Sequence, residues 1–160
     1  MTVLFRGCYR HLQAAPGTLY NRTVERQNSA RQSFLKGVDL FNRGDFFEAH
    51  EAMEEAMDQD ETEGGWDFYL GLLRAAVANH KLIQGEIQSA ILHLRAAMRF
   101  LAPYPDRHQG VKLRELRYAL SVQLARLTEA RDRGTTTDLP QAPKIEFAQN
   151  RRGKCHKGLP

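Results

Sequence analysis

His50 and Glu54 are the residues best placed to do chemistry. They stand at i and i+4 in Phe46-Phe47-Glu48-Ala49-His50-Glu51-Ala52-Met53-Glu54-Glu55-Ala56-Met57. A helix turns by about 100° per residue, which gathers Phe46, Ala49, Met53, Ala56 and Met57 into one apolar arc. His50 falls inside that arc and Glu54 beside it, next to Phe47. Glu48, Glu51, Glu55 and Asp58 point away from it. The pattern therefore predicts one partly buried histidine–carboxylate pair among several solvated acids. A buried charge needs a partner or a metal. Imidazole and carboxylate are ligands for zinc, iron or manganese, and His80, on the apolar side of the next helix, is the natural third ligand. Glu51 joins the set only if the helix turns it inward. Zinc or manganese is the cofactor this set would take. A structural alternative asks for less: His50 donates a ring N–H to Glu54 or to a carbonyl, and the pair fixes helix packing.

Other reactive arrangements are missing from the sequence. A zinc-protease helix needs a second histidine where Glu54 stands. There is no glycine-rich phosphate loop, and no serine or cysteine occupies a nucleophile motif. His93 reads as a surface or boundary residue, and His11, His108 and His156 fall in expected loops or tails. Cys8 and Cys155 sit near opposite ends, which argues against a disulfide framework and suits a reducing compartment.

Around these residues the chain reads as all-α. Five helical segments are predicted, at about 30–43, 45–58, 66–83, 86–101 and 110–131. Gly44 and Gly85 are the turns, Asp45 is the expected cap of the second helix, and Pro103 and Pro105 stop the fourth. No strand pattern is expected. Gly44-Asp45, Ala49 and Met57 recur as Gly85-Glu86, Ala90 and Met98. This echo predicts two glycine-turn hairpins, similar to tetratricopeptide hairpins, closed by a C-terminal helix into a compact bundle. The expected organisation is a flexible extension over 1–29, a helical domain over 30–132 and a flexible basic tail over 133–160.

The net charge of +4 is unevenly spread. Acids crowd the stretch from Asp39 to Asp67, where Arg43 is the lone base. Bases elsewhere include Arg95, Arg99, Arg114 and Arg117. An acidic surface around the second helix and a basic one elsewhere are expected, with docking of a protein partner or a second copy. The bases are dispersed and carry no nucleic-acid reading motif. No apolar run reaches the roughly 18 residues that cross a membrane. A cytoplasmic protein is expected, or an organellar one if residues 1–29 form a transit segment.

The block Leu40-Phe41-Asn42-Arg43-Gly44-Asp45-Phe46-Phe47-Glu48-Ala49-His50-Glu51-Ala52-Met53-Glu54 resembles the signature of domain-of-unknown-function family 309. Gly71-Leu72-Leu73, Ala76-Val77-Ala78 and Gly85 to Ala90 extend the resemblance over about 32–104. It implies a small all-helical protein with no assigned activity and a suggested metal site. The family's hallmark is a histidine, a glutamate four residues on, and a tryptophan or tyrosine three beyond that. His50 and Glu54 match it, Glu51 matches its acidic neighbour, and Met57 stands at the aromatic position. Arg74 replaces a common glutamine, and Lys81 falls where the family often has histidine or lysine. The resulting expectation is a non-enzymatic binding or scaffold domain with a structural His–Glu pair. The alternative is a metal-binding protein or metal-dependent hydrolase using His50, Glu54 and His80. The residues decide neither for nor against catalysis.

Overall fold

The computed structural model describes residues 16–60, 65–135 and 139–148, with backbone alone for 16–23. Five helices carry the fold: α1 (Pro16–Arg43), α2 (Phe46–Gln59), α3 (Gly65–Ile83), α4 (Ile87–Leu101) and α5 (Leu113–Arg133). Between α4 and α5 lies a small hairpin, β1 (Arg107–His108) and β2 (Val111–Lys112). It is an all-α bundle in which consecutive helices pack on one another.

Both predicted glycine turns are present, and both work in the same way. Gly44 has φ +99 and Gly85 φ +78, a region open to glycine because it has no Cβ. The residue after each glycine bonds back across the helix end, Asp45 N–H to the Leu40 carbonyl at 3.0 Å and Glu86 N–H to that of Lys81 at 2.9 Å. This pattern satisfies the last carbonyls and turns the chain into the next helix. Asp45 stands at the N-cap of α2 but its side chain makes no cap bond. Ala49 is fully buried, as is Ala90 at the matching place in α4.

Small residues set how closely the helices meet. A Cβ built on Gly71 would lie 2.6 Å from Leu101 Cδ2. One built on Gly37 would lie 2.9 Å from Met53 Cγ. Around these contacts pack Phe34, Phe41, Phe68, Tyr69, Leu72, Ile91, Leu94, Leu116 and Leu120.

Three boundaries differ from expectation. Helix α1 begins at Pro16, not near 30. Proline fits the first turn of a helix, where its missing N–H costs nothing. Residues 24–28 are exposed, so this part of α1 has no apolar face to give a period. The hairpin was not foreseen, because each strand is two residues long. Its turn, Gln109-Gly110, has φ +50 and +82, the left-handed pair that suits a two-residue hairpin. Finally, residues 139–148 of the expected tail lie against the bundle. Ile145 is buried, and Val111 pairs with Phe147 as an antiparallel bridge. Lys112 N–H donates to the Glu146 carbonyl and Ala148 N–H to that of Gly110, both at 2.8 Å. Asn42 clamps the segment: its Nδ2 donates to the Ile145 carbonyl (2.9 Å) and its Oδ1 accepts from Ile145 N–H (2.8 Å). The other expected extension and tail residues, 1–15, 136–138 and 149–160, lie outside the described residues. No described helix is long and apolar enough to cross a membrane.

Replacing Gly71 by alanine is expected to destabilise the fold by about 1–3 kcal/mol, since the branched Leu101 must move. Gly37→Ala is expected to cost less, because unbranched Met53 can swing aside. Urea unfolding of the two variants measures both, and equal stability to the parent would contradict the packing at Gly71.

Candidate functional site

Helices α2 and α3 run antiparallel, so the start of α2 meets the end of α3. The Phe47 ring, half-exposed at 51%, marks that meeting. His50 packs against it at 6.4 Å between ring centroids, and His80 at 5.8 Å. Both histidines are half-buried, and His80 Nε2 lies 3.0 Å from Gln84 Nε2. The two histidines singled out from sequence therefore flank one phenylalanine.

The carboxylates lie elsewhere on the helix. Glu54 is exposed, in contrast to the partial burial expected beside the apolar arc, and so is Glu51. The apolar arc of α2 is narrower than its composition suggests: Met53 and Ala56 face the core, and Glu54, about 100° from Met53, already clears it. Glu54 pays no desolvation penalty there and needs no buried partner. Among the described residues no three of histidine, cysteine, aspartate and glutamate stand together as metal ligands.

The acids of α2 form the expected negative face. Glu48, Glu51, Glu54, Glu55 and Asp58 are all exposed. Glu61 and Glu63 lie outside the described residues. Arg95, Arg99 and Arg114 are exposed, as expected, but Arg117 is not part of a free basic surface. Its Nη1 donates to the carbonyls of Leu101 (3.2 Å) and Tyr104 (2.7 Å), and its Nη2 pairs with Asp106 at 2.9 Å. It ties the end of α4 to α5.

Two polar clusters escaped the sequence reading. The first surrounds Tyr69, on α3. Its buried hydroxyl accepts a hydrogen bond from Gln109 Nε2 (3.1 Å) and also bonds Asp60, at the end of α2. Arg31, on α1, donates to the Gln109 carbonyl at 2.9 Å, with its guanidinium over the Phe34 ring. Burial first, then Asp60, pushes the Tyr69 hydroxyl well above the usual range, so it stays protonated and acts as a donor. Beside it His108 packs on Phe68 and Tyr104, each at 4.6 Å, and its Nε2 is buried without a hydrogen-bond partner. Burial lowers the His108 pKa below its ordinary value, against the opposing pull of Asp60. These residues come from α1, α2, α3 and the hairpin, and are 78 residues apart at the extreme. The cluster is a staple across the bundle. The Gln109-Gly110 turn is the one local signal that could have revealed it.

The second cluster joins α3 to α4. Arg74 Nη1 lies 3.4 Å from His93 Nδ1. His93 is half-buried, in keeping with a boundary residue. Deeper, Asn79 Nδ2 donates to the Ala75 carbonyl (2.8 Å), and Gln123 Nε2 on α5 donates to Asn79 Oδ1 (2.7 Å).

Residues 34–92 match the family described as Domain of unknown function (DUF309). The match spans the α1–α2 hairpin from Phe34, the whole of α3 among the described residues, and the first part of α4. It takes in His50, Glu51, Glu54 and His80. DUF309 is the family that the Leu40–Glu54 block resembles. An uncharacterized protein of Aquifex aeolicus (strain VF5) is 38% identical over 77 residues. That stretch is 48% of this chain and 23% of the relative, so the relative is much longer than the part matched. Neither the family description nor the relative's name assigns an activity.

Two outcomes follow from this geometry. Tyr69→Phe is expected to destabilise by about 1–3 kcal/mol, leaving Asp60 and Gln109 without the hydroxyl. His50→Ala is expected to cost less than about 1 kcal/mol, because exposed Glu54 loses no buried partner; a larger loss in chemical denaturation would show that the pair is structural. The pH dependence has a definite sign. His93 and His108 both titrate below the ordinary 6.5 in the folded state, so the unfolded chain binds their protons first. Stability is therefore full above about pH 6.5 and falls as the pH drops below it. Denaturant midpoints between pH 8 and pH 5 should show this fall, and His108→Gln should flatten it.

Proposed function

We propose that this chain is a non-enzymatic binding domain that docks a basic, partly apolar protein surface on the side of the bundle formed by α2 and the end of α3. The observation that carries the reading is Phe47, a large ring left half-exposed between two histidines and beside an acidic helix face. Ile83, one turn beyond His80, is 69% exposed and extends the apolar area. Exposed aromatic anchors ringed by charge are typical of protein interfaces. Glu48, Glu51, Glu54 and Asp58 have no basic side chain within ion-pair distance among the described residues, so their charge is directed to solvent and complements a cationic partner. A second copy offers one such surface, through Arg95, Arg99 and exposed Leu92 of α4. A protein partner is the occupant we favour, and self-association is one outcome of the test. Cys8 and Cys155, far apart in sequence, suit a reducing aqueous compartment.

A photo-crosslinking residue placed at Glu51 tests this reading in cells. The expected result is a discrete adduct with a basic protein, lost in Phe47→Ala and weakened when Glu48 and Glu54 become lysine. An adduct of twice the chain mass would identify a second copy as the occupant. No adduct, or one indifferent to Phe47, would sink the proposal.

The metal reading keeps one supporting observation, the two histidines on Phe47. It draws Glu54 or Glu51 in as the third ligand, and zinc or manganese as the ion. Its test is thermal: either metal should raise the melting temperature of the parent and not of His50→Ala, because binding to the native state stabilises it. On the docking reading neither protein responds.

A further inference from the structure

Residues 139–148 form a strap that is held to the bundle largely through its backbone. Strand β2 pairs with β1 on one side and with the strap on the other, through the Val111–Phe147 bridge. The backbone bonds of that edge run from Lys112 N–H to the Glu146 carbonyl and from Ala148 N–H to the Gly110 carbonyl. Asn42, on α1, then takes the part of a neighbouring strand. Its side-chain amide accepts from Ile145 N–H and donates to the Ile145 carbonyl. These four contacts reach the main chain only and are blind to residue type. Side chains alternate along the strap as they do in a strand. Ile145 is buried, and Phe147 is half-buried with its ring 6.1 Å from that of Phe34. Lys144 and Glu146 are exposed, and Glu146 pairs with Lys112 at 2.7 Å. The Arg31 guanidinium lies over both the Phe34 and the Phe147 rings.

This is the geometry by which an extended peptide adds a strand to an open edge: backbone bonds hold it, and seats for alternate side chains select it. We propose that Asn42, the β2 edge and the Arg31–Phe34 pair form a peptide-binding groove, which the strap fills in cis and an extended peptide of a partner protein fills in trans. The partner segment carries an apolar, an acidic and an apolar or aromatic residue in succession, as Ile145, Glu146 and Phe147 do. The strap is built to give way. Ile145 alone among residues 139–148 is fully buried. Ahead of it, the strap borders an open groove of about 980 Å3 along α5, with Tyr118, Val122 and Arg126 on the helix and Leu139, Pro140 and Pro143 opposite. A segment with so few buried contacts opens while the bundle stays folded. Its tether to α5 keeps its effective concentration high, so a free peptide binds weakly until the strap is displaced. None of these residues lies on α2, and the groove is independent of the docking reading at Phe47.

The test offers the full chain a fluorescent peptide with the sequence of residues 139–148 and follows its anisotropy. Ile145→Asp in the chain unseats the strap and leaves the groove in place. The expected result is binding at least about tenfold tighter by this variant than by the parent, because the competitor in cis is gone. A peptide carrying the same Ile145→Asp change should not bind. One carrying Glu146→Lys should bind more weakly, since it then faces Lys112. Asn42→Ala also loosens the strap but removes the clamp, so adding it to Ile145→Asp should abolish binding. If Ile145→Asp does not fold, amide exchange in the parent decides. The Ile145 and Ala148 amides, both hydrogen-bonded, are expected to exchange at least about a hundredfold faster than those in the middle of α3. Equal protection of strap and α3, no peptide binding by Ile145→Asp, or binding that survives Asn42→Ala would each overturn the proposal. So would a dimer of the parent that Asn42→Ala dissolves, because the occupant would then be the strap of a second copy.

Discussion

Helix α3 must be buried along most of its circumference, and the rest of the molecule follows from that constraint. It packs between α2 and α4 while its ends and inner face meet α1, α5 and the hairpin. Gly71, Ala75, Ala76 and Ala78 let the neighbours approach, and Phe68, Tyr69 and Leu72 fill the centre. A helix so enclosed cannot leave its polar side chains to water. Tyr69 finds Asp60 and Gln109. Asn79 finds its own Ala75 carbonyl and, across the core, Gln123. The orientation of the Asn79 amide is fixed by the Ala75 carbonyl, and that in turn fixes the Gln123 amide as donor. Arg74, nearer the surface, is the member of this series whose needs are half met: its Nη1 approaches His93 while its Nε is buried without a partner among the described residues.

The helices and glycine turns were legible in the sequence because they rest on local physics. Gly44 and Gly85 end helices through their own backbone freedom, and the apolar spacing of α2 to α5 reflects burial on one side. Where burial was missing, so was the signal. Residues 24–28 are helical but exposed, so no burial imposes a period on them. Glu54 shows the same limit from the other side. Helical phase says which residues share a face, but the width of the buried arc depends on where the neighbouring helices sit. Met53 packs against Gly37 of α1 and Ala56 is buried, while Glu54, one step round the helix from Met53, is exposed.

The long-range parts left almost no trace. Asn42 lies in the block that carries the family resemblance, yet its amide acts on Ile145, 103 residues away. His108 looked like a loop residue, and its loop is held by a hairpin too short for alternation to reveal. Arg117 looked like part of a basic patch, and its guanidinium instead takes up carbonyls at the end of α4. In each case the residue type permitted both readings, and the tertiary neighbour decided.

The stretch from His50 to Met57 also divides once it is placed on the fold. Met57 is buried against the core and contributes packing. His50 stands at the rim, and Glu51 and Glu54 stand outside. Position 57 therefore bears on the interior of the bundle, whereas His50 and Glu54 bear on the surface around Phe47. A substitution at Met57 should be judged by stability and one at His50 by binding. That separation follows from the rotation of a single helix: about 60° separates Met57, inside, from Glu54, in water.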